Sequence, residues 1–62
     1  MPMTSKEMIQ LLKKHGFKIV SQSGSHIKMR NDKTGRWTTV PYHGTDLKKG
    51  TEQTILKQAG LK

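Results

Sequence analysis

Apolar residues recur along this chain with two different periods. Near the start, Met8, Leu11, Leu12 and His15 fall at i, i+3, i+4 and i+7, and Ile9 widens the stripe. That is the spacing of an amphipathic helix with one face turned to a core. Thr4-Ser5-Lys6-Glu7 has the form of a capping box and sets the start, while Gly16 supplies a left-handed end with Phe17 as its apolar contact. From Phe17 to Gln22 the chain is apolar and β-branched. From His26 to Arg30 it alternates, with Ile27 and Met29 on one face and His26, Lys28 and Arg30 on the other. A serine and glycine loop joins these two predicted strands. Asn31 to Gly35 is turn chemistry, and Trp37 to Val40 is strand-prone until Pro41 removes a ladder donor. The last segment carries Ile55, Leu56 and Ala59 on one stripe and closes on Gly60 with Leu61 beyond; its start falls somewhere from Asp46 to Thr51.

The pattern predicts one domain over residues 1–62, of the α+β class, in the order helix, three antiparallel strands, helix. A chain of this length buries only about 60% of its unfolded surface. At 31% hydrophobic residues the core must be one thin layer, drawn from Met8, Ile9, Leu11, Leu12, Phe17, Ile19, Val20, Ile27, Met29, Val40, Ile55, Leu56 and Leu61. Two helices covering one face of a small sheet leave the other face open, and the alternation assigns His26, Lys28 and Arg30 to that open face.

Charge changes the picture most. Twelve Lys and Arg against four Asp and Glu give a formal +8, which favours a polyanionic partner: nucleic acid first, through counterion release, then an acidic protein, then an anionic membrane. Solubility alone is the plainer use of such a surface. There is no cysteine, so no disulfide framework or thiolate metal site can staple the fold. The opening MPMTSKEM lacks the apolar core of a signal peptide, and no apolar run approaches the roughly 20 residues of a membrane span. A soluble cytoplasmic chain is the expectation.

His26 follows a glycine loop and shares a face with two cations. A neutral imidazole there could take the proton from a ribose 2′-hydroxyl so that the oxygen attacks the adjacent phosphorus, with Lys28 or Arg30 offsetting charge on the phosphoryl oxygens. An exposed strand histidine that merely touches backbone or phosphate fits the same spacing, and spacing alone favours that plainer reading. Gly24 and Ser25 could let a phosphate approach backbone N–H groups, and an ordinary hairpin needs the same residues. His43, in a loop after Pro41 and Tyr42, is a possible auxiliary acid or base. His15, on the apolar stripe, is expected to favour the helix dipole or pack as a partly buried ring. Trp37 could stack on a base; packing is the commoner use of a lone tryptophan. Three histidines on different elements without an acidic cluster make no metal-ligand set, and no cofactor motif is present.

Taken together, these segments resemble the HicA, or YcfA-like, toxins of bacterial and archaeal toxin-antitoxin pairs. The likeness rests on Leu11-Leu12-Lys13-Lys14-His15-Gly16-Phe17, on Gly24-Ser25-His26, on Val40-Pro41 with His43 close behind, and on Lys49-Gly50-Thr51 followed by Ile55 to Leu61. The resemblance implies a fold like a double-stranded-RNA-binding domain and cleavage of messenger RNA as the activity. It further implies His26 as the catalytic group and a HicB-type antitoxin that masks its face. One position departs: Glu52 stands where the family often has an apolar residue after Gly-Thr.

Overall fold

The computed structural model of the chain describes residues 3–42 and 46–61. Helix α1 (Ser5–Lys14) is followed by strands β1 (Phe17–Ser23), β2 (His26–Asn31) and β3 (Trp37–Pro41), and then by helix α2 (Lys49–Gln58). The strands form one antiparallel sheet in the order β1-β2-β3, with β2 central. This is the α+β arrangement that the two periodicities predict.

Local chemistry explains the helix limits. Thr4 Oγ1 accepts the Glu7 N–H at 3.1 Å while Glu7 Oε1 accepts the Thr4 N–H at 3.0 Å, so two of the donors a helix start leaves orphaned are satisfied reciprocally. At the far end Gly16 takes φ 92°. Helix α2 ends in a full Schellman motif, with Leu61 N–H donating to Leu56 C=O at 2.9 Å and Gly60 N–H to Lys57 C=O at 3.1 Å. Its N-cap is Lys48, which gives no side-chain cap, and this is why the start was invisible in the sequence. Asp46, at the early limit of the expected start, instead bridges Thr4.

Both helices pack on the same face of the sheet, α1 against β1 and β3 and α2 against β3. Met8, Leu12, Met29 and Val40 are fully buried between the layers, joined by Ile9, Phe17, Ile27, Ile55, Leu56 and Ala59. Leu47 completes this core from the segment before α2, a contribution that no periodicity marks. Leu11 and Leu61 are only partly buried against it.

Two expected core residues are not in it. Ile19 pairs with Met29 on the helix-facing side but is 45% exposed, because β1 is an edge strand running beyond the cover of a ten-residue helix. Val20 is equally exposed, for another reason: it alternates with inward-facing Ile19 and so lies on the open face, where a bulge between Ile19 and Ser21 also leaves it unpaired. Of the two expectations for His15, the partly buried ring is not met. It is the C-cap residue and exposed, and it serves the fold through its carbonyl, which accepts from Asn31 Nδ2 at 2.9 Å.

Asn31 is buried, at 6% exposure, and joins three segments. Besides the bond to His15, its Oδ1 accepts from Lys33 N–H at 2.9 Å and Thr34 N–H at 3.3 Å, holding the β2–β3 turn.

These placements set a stability order. Leu12→Ala should cost about 2–5 kcal/mol as a cavity in a closed core. Ile19→Ala, removing a side chain already half in water, should cost about 1 kcal/mol. Asn31→Ala should fall between them at about 1–3 kcal/mol, from orphaned backbone groups. Urea midpoints at unchanged m-value would measure all three, and an Ile19 loss as large as that of Leu12 would contradict the exposed edge.

Candidate functional site

The open face of the sheet is built by register. His26 pairs with Ser23 on one side and Pro41 on the other; Lys28 with Ser21 and Thr39; Arg30 with Lys18 and Trp37. Directly opposed residues share a face, so His26, Lys28 and Arg30 do line one surface, as the alternation predicts. All three are exposed, while Ile27, Met29 and Asn31 between them are buried.

Gly24 and Ser25 form the two-residue turn between β1 and β2. Gly24 takes φ 58° and Ser25 does not have a positive φ, the pattern of a hairpin turn with a left-handed first position. A Cβ on Gly24 would meet no atom within 4 Å, so backbone conformation, not space, calls for glycine there. Around this turn the chain is tied down: Tyr42 N–H donates to Ser25 C=O, and the Oγ–H of buried Ser5 donates to Pro41 C=O at 2.6 Å. The first residue of α1 thereby anchors the strand end opposite His26. No described side chain hydrogen-bonds the His26 imidazole, which stands open to solvent. His43, the possible auxiliary group, lies outside the described residues. His15 sits by Asn31, at the other end of β2 from His26. Among the described residues no three His, Cys, Asp or Glu side chains gather as a metal-ligand set.

The cations of this face are not equivalent. Lys18 Nζ lies 2.7 Å from Asp32 Oδ2, and Arg30 Nε lies 3.8 Å from Asp32 Oδ1. The Lys18 hydrogen bond and charge, with a smaller contribution from Arg30, hold the Asp32 carboxyl below its ordinary value. Because that folded-state value is depressed, the pairing is complete at neutral pH and is lost only as pH falls through it; exposed as it is, it adds little to stability. Lys28 has no such carboxylate among the described residues. Its ammonium stands 4.7 Å from the Trp37 ring centroid, within cation–π range.

Trp37, named above for base stacking or packing, belongs to this face, and so do Val20 and Asp32, which charge and motif did not single out. The position of Trp37 was readable, since Thr38 and Val40 point inward and the residues alternating with them must point out. Val20 was not, because adjacent Ile19 and Val20 are both apolar and show no alternation from which to tell inward from outward.

Asp32→Asn should therefore tighten binding of a polyanion such as heparin a few-fold and steepen its salt dependence, by releasing Lys18 and Arg30 from their carboxylate. An unchanged salt slope would show that these cations do not face the polyanion.

No helix among the described residues is long and apolar enough to cross a membrane. Comparison with individually curated proteins finds no match. A family profile does match, over residues 5–61 and thus from the first residue of α1 through the cap of α2, and it describes the HicA toxin of bacterial toxin-antitoxin pairs. The matched span contains the turn, all three strands and both helices. The chain belongs to the HicA toxin family, and is by that membership the toxin of a toxin-antitoxin system with a cognate antitoxin as its partner.

Proposed function

We propose that this toxin is a metal-independent endoribonuclease that cuts messenger RNA, with His26 as general base. The observation that carries the reading is the exposed His26 at the head of β2, in one row with Lys28 and Arg30 on a face no helix covers. A neutral imidazole takes the proton of a ribose 2′-hydroxyl. The freed oxygen bonds to the adjacent phosphorus, the bond to the 5′-oxygen breaks, and that oxygen leaves with a proton from solvent or from a second group such as His43. Lys28 and Arg30 offset the charge that builds on the phosphoryl oxygens. Gly24 and Ser25 form the rim that the strand crosses. Lys28, free of a carboxylate partner, is the better placed of the two cations for the phosphoryl oxygens. The cognate antitoxin, of HicB type in this reading, acts by covering the His26 face, and a net charge of +8 favours an acidic surface for that task.

A non-catalytic RNA-binding module is the second reading. It is favoured by the lack of any described group that orients the imidazole, since catalytic bases are commonly held by a third partner. Cleavage decides between them. The purified toxin with labelled RNA and a chelator should yield fragments ending in 2′,3′-cyclic phosphate and leave DNA intact. His26→Ala should keep its stability within about 0.5 kcal/mol, as an exposed substitution, and lose about 10²–10⁴-fold in rate. Fragments bearing 5′-phosphates would overturn the mechanism. RNA shifted but uncut would favour the binder, and a His26→Ala variant that cuts at the wild-type rate would overturn His26 as the base.

A further inference from the structure

The proposed chemistry leaves the apolar part of the open face unused. Trp37 is 55% exposed and Val20 45%, and the two lie together on this face. Together with Lys28, Arg30 and Gly35 they line an open pocket of about 380 Å³, within the range of small-ligand clefts. The walls differ in kind. Trp37 and Val20 offer an aromatic and an aliphatic surface, while Lys28 and Arg30 set two cations beside them, one held over the indole.

A flat apolar group joined to a negative charge fits this combination, and an unpaired nucleotide is such a group: its base has a π-face for the indole and its phosphate a charge for the cations. We propose that Trp37, with Val20, Lys28 and Arg30, forms a nucleobase subsite, and that the RNA this face takes is single-stranded there. The inference rests on the reading of this face as an RNA surface and adds the state of the strand. A paired helix buries its base faces in its own stack and would meet the sheet through backbone alone, leaving the indole in water.

Register places the subsite. Trp37 is opposite Arg30, and His26 is four residues back along β2, roughly 14 Å at the usual rise per residue. The stacked base is therefore not that of the ribose whose hydroxyl meets His26 but one further along the strand. The RNA strand then runs along β2, with Lys28 between base and histidine.

The chain contains a single tryptophan, so its fluorescence reports this subsite alone. The full chain carrying His26→Ala is titrated with oligouridine, with an RNA duplex of equal length and with inorganic polyphosphate. Oligouridine should quench the emission strongly, and the duplex and polyphosphate should bind with little change. Trp37→Ala should weaken oligouridine binding about 5- to 100-fold, as loss of one base stack does, while polyphosphate affinity holds. Trp37→Phe should restore most of it, and thermal melts should show both variants folded. Equal quenching by all three ligands, or oligouridine affinity indifferent to Trp37→Ala, would overturn the proposal. So would a Trp37→Ala toxin that loses its antitoxin but not oligouridine, which would assign the patch to protein. Because His26 is already replaced, a failure of the nuclease reading leaves these outcomes unchanged: wild-type toxin that cuts no RNA yet is quenched by oligouridine refutes the chemistry and keeps the subsite.

Discussion

With two helices of ten residues each, this chain can cover one side of its sheet and no more. That constraint governs the rest of the molecule. The inward side chains of β2 and β3 join the core beneath the helices, and those alternating with them are exposed or only partly covered. The central strand makes the division sharpest: its buried Ile27, Met29 and Asn31 hold the protein together, and its exposed His26, Lys28 and Arg30 are free for a partner. Stability and function are thus separated residue by residue along one strand, because side chains in a strand alternate with a period of two.

The open face is held in shape from its two ends. At one end Ser5 and the Gly24-Ser25 turn fix the strand tips around His26. At the other, Asn31 ties the end of α1 to the β2–β3 turn, from which Trp37 emerges. A single buried amide thereby links the C-terminus of the first helix to the start of the third strand. Gly16 belongs to the same arrangement, since a Cβ there would press on Asn31 Nδ2 at 3.3 Å.

Electrostatically the face is graded. Asp32 engages Lys18 and Arg30 near the turn, while Lys28, nearer His26, lies over the indole and pairs with no carboxylate among the described residues. A polyanion arriving on a chain of net charge +8 finds its least compensated strand cation in the middle of the face. The antitoxin that neutralises this toxin meets the same distribution, and competition for one surface is a simple basis for control of a toxin by its partner.

The sequence by itself determined most of this. The capping box, the glycine caps and the two periods specify both helices, all three strands and the side on which His26, Lys28 and Arg30 lie, because these depend on neighbours only a few residues apart. The tertiary structure decided what depends on distant contacts. Leu47 is in the core and Ile19 largely out of it, since burial depends on how far a helix reaches over an edge strand. A bulge, which exists only as a mismatch between two paired strands, left Val20 unpaired and set Ser21 beside it on the open face, opposite Lys28. The lone tryptophan stayed in water beside Lys28, because the one sheet face it could reach is the face the chain is too short to cover.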